Sequence, residues 1–224
     1  MTMNYSDYEI AFSRARLGKY LIASNGDSEN AMILYRCNIS LCQKFYPLLN
    51  VFEVVLRNAI NAHYKRVFSD SDWIRHQLAP NGMLENHPHK NAVERIIRNL
   101  DDKGFYSSDK VVSSMTLGFW IHLFSRRPFA LGGQSILRVF PQRDKGLGQR
   151  VIYNELKTLK TFRNRIAHHE AICFDPRGVK SSAQALANYL LLTKYARFLG
   201  YDEALLFDRL DTNPYCLLKE IDNL

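Results

Sequence analysis

The chain has 224 residues, of which 46% are hydrophobic and 23% charged, a balance typical of a soluble globular protein that can bury a core. No stretch approaches the roughly 20 apolar residues that cross a bilayer. The N-terminal segment, residues 1–16, is charged and lacks the apolar centre of a signal peptide. We therefore expect a cytoplasmic protein with no membrane partner.

The net charge of +8, from 30 Lys and Arg against 22 Asp and Glu, favours a polyanionic partner such as nucleic acid. The four cysteines lack the spacing of a zinc site and are expected to be reduced thiols, so no metal or cofactor is predicted. They are Cys37, Cys42, Cys173 and Cys216.

Apolar residues at three- and four-residue steps predict helices along most of the chain. In order, the predicted helices cover residues 5–22, 29–68, 90–100, 149–167, 182–199 and 202–210. Pro47 is expected to divide the second of these into two helices. Residues 69–90 and 126–148 are predicted loops, residues 113–124 an apolar core segment, and the chain ends in a tail from Pro214. With no strand pattern, the sequence predicts an all-α fold in one domain, residues 1–224.

The helix 149–167 carries one charged side chain on its apolar face. At 100° per residue its buried-type residues form a single stripe, and Arg163 falls in the middle of that stripe. A guanidinium there is costly unless it meets a partner, so Arg163 is expected to face a carboxylate, an interface or a cleft.

Two histidines follow, and an arginine with a histidine suits cleavage of a phosphodiester. The arginine would hold the phosphate, and the histidine would move a proton of the attacking 2′-hydroxyl or leaving oxygen, without a metal. In an ideal helix His168 points about 140° away from Arg163. The two could converge if the helix ends near Ala167, or across a dimer axis. Alternatively, the histidines only cap the helix.

An echo of this segment occurs earlier in the chain. Residues 56–63 repeat the order of an apolar residue, Arg-Asn, and a histidine six positions after the arginine. Glu53 precedes Arg57 at the spacing of an intrahelical ion pair, which favours a structural or supporting role for Arg57 and Asn58.

The segment Phe162–Glu170 resembles the signature of the Abi-like abortive-infection proteins, a family of the helical HEPN superfamily. Glu53–Ile60 and Ser114–Trp120 resemble two further segments of that family, in the same order. The resemblance implies a helical bundle, with a core at about residues 45–200, that dimerises and cleaves RNA without a metal in phage defence or as a toxin. A toxin would bring a protein or RNA antitoxin as partner.

Carried onto this chain, the resemblance makes Arg163 and His168 the catalytic pair and Asn164 a positioning residue, with His169 the alternative histidine. Some members of the superfamily only bind RNA, so an inactive RNA-binding or regulatory module is the main alternative, and a protein-interaction bundle is another. The candidate RNA contacts are basic residues of the predicted loop and of the helix after it: Arg126, Arg127, Arg143, Lys145, Arg150, Lys157, Lys160 and Arg165.

Overall fold

The computed structural model describes residues 3–224. In that range it contains twelve α-helices, one short 3-10 helix and no strand, only an isolated bridge between Phe174 and Lys180. The predicted all-α class is therefore confirmed. In chain order the α-helices are α1 (Tyr5–Phe12), α2 (Arg14–Ala23), α3 (Ser28–Val67), α4 (Trp73–His76), α5 (Lys90–Asp102), α6 (Ser108–Ser114), α7 (Leu117–His122), α8 (Arg126–Leu131), α9 (Gln149–Ala167), α10 (Ala183–Phe198), α11 (Glu203–Leu206) and α12 (Tyr215–Asn223), and the 3-10 helix covers Ile136–Val139.

The predicted N-terminal helix is divided in two at Ser13. This residue has a φ of 72°, outside the helical region, and its hydroxyl accepts the N–H of Arg16 at 3.3 Å. Ser13 thereby acts as the N-cap of α2, a role that serine favours because its side chain replaces a missing backbone acceptor. The expectation of one helix over residues 5–22 was wrong for this local reason.

The 40-residue helix α3 continues through Pro47, so the predicted division there was wrong. A proline inside a helix costs about 3 kcal/mol, since it removes one hydrogen bond and crowds the preceding turn. Large buried side chains lie on both sides of it, Phe45 against Phe162 with ring centroids 4.8 Å apart and Phe52 against Tyr195 at 6.3 Å. Packing of this extent offsets the local cost.

By length and composition alone, α3 could also cross a membrane. One 18-residue window has a mean hydropathy of 1.2, and 33% of it is buried. The sequence expectation that no stretch of about 20 apolar residues occurs concerns a different property, and the absence of a membrane partner stays a prediction. A core helix of a soluble protein meets the same criteria.

Three segments predicted to be irregular contain helix. The region 126–148 begins with α8, because Pro128 is the third residue of that helix, where its missing N–H has no intrahelical acceptor to lose. The region 69–90 contains α4, and the predicted tail from Pro214 forms α12. In contrast, the predicted helix 202–210 shortens to α11.

The chain forms two compact units. Unit 1 contains the described residues up to Leu49, Thr161–Leu192 and Phe207–Leu224. Its core includes an aromatic cluster in which Tyr20 meets both Tyr35 and Phe174 edge-on at 5.2 Å. The catalytic segment predicted from the sequence belongs to this unit.

Unit 2 contains Asn50–Lys160 and Thr193–Leu206. Its core includes Trp73 and Trp120, which are fully buried. The predicted apolar core segment 113–124 lies here, and its apolar side chains are all buried, as expected. Most of the candidate RNA contacts also belong to this unit, and the single-domain assignment stays a prediction.

Candidate functional site: the end of helix α9

The apolar stripe of α9 is buried as the sequence predicts. Arg163 lies on it and is half-buried. It is therefore not an ordinary solvated arginine, in contrast to the exposed Lys157 on the same helix. The stripe consists of Ile152, Leu156, Leu159 and Ile166, all at most 7% exposed.

Helix α9 ends at Ala167, and the two histidines form its C-terminal cap. The N–H of His169 donates to the carbonyl of Ile166 at 3.0 Å, and that of Glu170 donates to the carbonyl of Arg165 at 2.8 Å. His169 has a φ of 57°. This pair of bonds around a left-handed residue is the Schellman arrangement, usually completed by glycine. The capping role that the sequence left open is thus real for the backbone of this doublet.

Three side chains fix the backbone after the helix. Arg16, on α2, donates to the carbonyl of His169 at 2.6 Å. Arg165 donates to the carbonyl of Ala171 and to the side chain of Gln184. The Oδ1 atom of the buried Asn38 accepts the N–H of Ile172 at 2.8 Å. The turn that carries the histidines is therefore anchored on both sides.

The imidazoles of His168 and His169 are exposed, as is Asn164. The N–H of His168 still bonds to the carbonyl of Asn164 at 2.9 Å, so its backbone follows the helical path. Helix geometry then leaves His168 about 140° around the axis from Arg163. The helix ends where the sequence predicted, but the cap does not turn His168 onto the face of Arg163.

The earlier echo has a different character. His63 is only 4% exposed, and its Nε2 lies 2.9 Å from the hydroxyl of Ser135. Burial, with smaller contributions from Arg66 and Arg138, lowers the pKa of His63. A buried, hydrogen-bonded and uncharged imidazole is a structural residue, so solvent exposure separates the histidines of the two segments.

The supporting residues of the echo lie in unit 2. The Nε of Arg57 donates to Oδ1 of its neighbour Asn58 at 3.5 Å. The pairing of Glu53 with Arg57 that their spacing favours stays a prediction. Arg57 and Glu53 are half-buried, whereas Asn58 is exposed.

The basic residues proposed to bind RNA differ in accessibility. Arg165 is engaged by Ala171 and Gln184, which makes it an anchor of the turn rather than a free cation. Arg127 lies 3.7 Å from Glu85 and remains 63% exposed. Arg143 and Lys160 are half-buried. The other candidates are exposed: Arg126, Lys145, Arg150 and Lys157.

Sequence reasoning missed the residues that hold the turn. Arg16 and Asn38 are separated from their partners by 153 and 134 positions. No periodicity or local spacing reveals such contacts. The buried asparagine on the otherwise apolar face of α3 is the one signal that could have been used, because a buried amide requires a partner.

The thiols near this segment are not ionised. Burial raises the pKa of Cys173 to about 12 and that of Cys42 to about 11. All four cysteines are free, as predicted, and Cys216 is exposed. No group of three or more His, Cys, Asp or Glu arranged to hold a metal ion occurs in residues 3–224.

Comparison with known proteins gives one match. A family model described as "Abi-like protein" matches residues 2–173. This range includes α9 and the whole segment from Arg163 to His169. No curated protein and no solved structure matches the chain. The family suggests a role in abortive infection or phage defence.

Proposed function

We propose that this chain, which belongs to the Abi-like protein family, is an endoribonuclease of phage-defence or toxin type, built on a helical bundle of the HEPN kind. Arg163 and His168 form its catalytic pair, and the reaction requires no metal. The single observation that carries the proposal is the end of α9. There a half-buried arginine on the apolar stripe is followed, one residue beyond the helix, by an exposed histidine on an anchored turn.

Each residue type suits its role. The guanidinium of Arg163 would bind the scissile phosphate through two N–H donors and stabilise the charge that develops on its oxygens. The imidazole of His168 would transfer a proton at the 2′-hydroxyl or at the leaving 5′-oxygen. Attack of the 2′-oxygen on phosphorus breaks the bond to the 5′-oxygen. The products are a 2′,3′-cyclic phosphate and a 5′-hydroxyl.

The site is shared between two copies of the chain. One copy directs its Arg163 and His168 about 140° apart around α9, so a single helix end does not aim both groups at one phosphate. In a twofold dimer the arginine of one subunit can face the histidine of the other. The half-burial of Arg163 agrees with a position at the edge of such an interface.

The first experiment measures cleavage of a labelled RNA by purified protein in EDTA. We expect cutting with 2′,3′-cyclic phosphate ends, and a loss of at least a hundredfold in Arg163→Ala and in His168→Ala. His63→Gln is the matched control, since it removes the buried histidine of the echo. Circular dichroism verifies that each variant is folded. Full activity in both site variants would refute the assignment.

The second experiment tests the shared site by mixing the two inactive variants. In a heterodimer of Arg163→Ala with His168→Ala, a site shared between subunits is restored once, whereas a site within one chain is not. Random exchange should recover about a quarter of native activity. No recovery after verified exchange of subunits would place both groups in one chain.

An inactive RNA-binding module is the second candidate, because the net charge of +8 and the exposed basic residues would favour RNA even without cleavage. Salt-sensitive binding with no cutting under any condition would favour it. A growth assay separates the two. Toxicity on expression that His168→Ala relieves supports the nuclease.

A further inference from the structure

Three histidines of unit 2 form a cluster outside the end of α9. His87 is only 4% exposed, and its ring centroid lies 4.6 Å from that of His122 and 5.5 Å from that of His89. The Nδ1 of His87 accepts the backbone N–H of His89 at 3.1 Å, so the proton of the neutral ring is on Nε2. His87 is thus buried and neutral, while His89 and His122 are half-buried.

Gly118 has no side chain, and three polar side chains surround the position that its Cβ atom would take. This position is called the open point below. A Cβ atom on this residue would be 3.5 Å from Nε2 of His89, 3.6 Å from Cδ of Lys160 and 3.6 Å from Oγ1 of Thr116. These side chains come from three different segments: the loop before α5, the helix α9 and the residue before α7. Because Gly118 has no side chain, one atom of an anion, such as a phosphate oxygen, could approach there at van der Waals distance from all three side chains.

The electrostatic surroundings of this point are positive. Burial and then Lys160 lower the pKa of His89, and burial, His89 and Lys160 lower that of His122. Burial, His122 and His89 lower the pKa of His87 to about 3. No carboxylate contributes to any of these three shifts. Lys160 forms no ion pair in the described chain, whereas Lys90, which begins α5, lies 3.7 Å from Glu94. A fixed cation beside neutral imidazole N–H donors, with no carboxylate acting on them, favours an anion.

We propose that His89, His122, Lys160 and Thr116, arranged around Gly118, form a binding subsite for a backbone phosphate of RNA. The subsite deepens the proposed function, on which it rests for the identity of the ligand. Lys160 is a fixed charge, Thr116 a hydroxyl donor, and the two histidines donate N–H groups in either protonation state. Lys160 precedes Arg163 by three residues on α9, so contact with RNA here would help to hold the substrate on the same helix.

Binding at this subsite is coupled to protons. Because the free cluster disfavours charged imidazoles, they are mostly neutral near pH 7, and a bound phosphate raises their pKa. Affinity for RNA should therefore increase as the pH falls from 8 to 6. The groups that face the titrating imidazoles of His89 and His122 are His87 from the loop before α5, the two imidazoles themselves, and Lys160 from α9. Ser125 also lies 3.4 Å from Nε2 of His122.

The test places a carboxylate in the open point. Gly118→Asp fills it with a negative charge, and Gly118→Asn fills it with an isosteric neutral group. The 3.5–3.6 Å distances at this glycine are ordinary van der Waals contacts, so the Cβ atom of either side chain fits there. The probe is a fluorescein-labelled single-stranded RNA with 2′-O-methyl riboses, which lacks the attacking hydroxyl. Binding is measured by anisotropy at several salt concentrations.

We expect Gly118→Asp to bind this RNA about tenfold more weakly than Gly118→Asn at low salt. Asn91→Asp, at an exposed position of α5, controls for the added charge alone and should lose far less. Lys160→Gln should reduce the salt dependence of log affinity by about 0.7, the contribution of one phosphate contact on a single strand. Equal affinities of the Asp and Asn variants with an unchanged salt slope in Lys160→Gln would overturn the proposal.

A second measurement uses inorganic phosphate and does not depend on cleavage. Histidine ring resonances are followed by NMR as the pH is varied, in the native protein and in Lys160→Gln, without ligand, with inorganic phosphate and with the RNA probe. We expect the pKa of His89 and of His122 in the native protein to rise when RNA is bound. A rise with phosphate as well identifies a site for any phosphate, and a rise with RNA alone identifies one specific to the nucleic acid. No rise with either ligand refutes the subsite, even if the protein cuts RNA. Conversely, if RNA raises these pKa values but Arg163→Ala and His168→Ala leave cutting intact, the subsite is supported and the assignment of the catalytic pair is refuted.

Discussion

The guanidinium of Arg16 donates a 2.6 Å hydrogen bond to the backbone carbonyl of His169, across 153 residues of sequence. The N-terminal helix α2 thereby holds the left-handed residue that ends α9. His169 has a φ of 57°, a conformation that costs a side-chain-bearing residue about 1 kcal/mol relative to glycine. The bond from Arg16 offsets part of that cost and fixes the direction in which the chain leaves His168, the proposed catalytic histidine.

Replacing Arg16 with alanine should loosen this turn with little loss of global stability. Arg16 is exposed, so the bond contributes no more than about 1 kcal/mol. We expect faster hydrogen exchange at the N–H of Glu170, which bonds back to Arg165 at 2.8 Å, and a lower kcat for RNA cutting with a small change in KM. Exchange measured by NMR and single-turnover cleavage give the two readouts.

Arg14→Ala is the matched control, since Arg14 lies on the same helix and forms only an exposed contact of 3.7 Å with Glu9. It should leave the exchange of Glu170 and the cutting rate unchanged. If Arg16→Ala behaves like Arg14→Ala in both measurements, Arg16 has no positioning role.

Substitutions of His63 and of His168 should have opposite effects: one should lower the stability and the other the activity. His63→Ala removes a buried ring and its 2.9 Å bond to Ser135, which should lower the free energy of unfolding by about 1–3 kcal/mol. His168 is exposed, so His168→Ala should change it by less than about 0.5 kcal/mol. Urea denaturation measures this difference.

The activities should show the opposite order. Per folded molecule, His63→Ala should retain RNA cutting and His168→Ala should lose it. A His63→Ala protein that is folded but inactive would show that the first half of the sequence echo also belongs to the active site.

The stripe on α9 and the helix end at Ala167 could be predicted because helical periodicity is a local property. The same reasoning failed at Ser13 and Pro47, where a single residue was weighed without its surroundings. At Ser13 a side-chain cap allows a second helix to begin at once, and at Pro47 packing on both sides overrides a local preference.

The anchors of the turn, Arg16 and Asn38, could not be predicted, because they meet their partners only in the folded chain. The cluster around Gly118 was missed for the same reason. His89, His122 and Lys160 are separated by more than 30 positions from one another and share no motif. A glycine between polar groups also has no signature of its own in a single sequence.

Stability should decrease in mildly acidic solution because of His87. In the folded protein burial, His122 and His89 lower its pKa to about 3, from an ordinary value of 6.5. The unfolded chain therefore binds the proton more readily. The contribution of neutral His87 to the free energy of unfolding is fully present above pH 6.5 and is lost as the pH falls towards 3. For His87 alone the free energy of unfolding should fall by up to about 2 kcal/mol between pH 7.5 and pH 5.

His87→Asn isolates this contribution. Its side-chain oxygen can replace Nδ1 as acceptor for the N–H of His89, and it does not titrate. Urea denaturation at pH 7.5 and pH 5 should show a smaller decrease for the variant than for the native protein. An equal decrease in both proteins would mean that other groups, such as His63, account for the acid sensitivity.

Pro47→Ala should stabilise the protein. Helix α3 is continuous through this position, so alanine can adopt the same backbone and adds an N–H that donates to the carbonyl of Gln43, four residues earlier. Removing a proline from a helix interior recovers up to about 3 kcal/mol, reduced by the gain in freedom of the unfolded chain. We expect a net increase of about 1–2 kcal/mol in the free energy of unfolding, measured by urea denaturation.

Asn50→Ala, at an exposed position one turn away, provides the effect of helix propensity alone, below about 0.7 kcal/mol. If Pro47→Ala gains no more than Asn50→Ala, the proline ring makes packing contacts as valuable as the bond that it prevents.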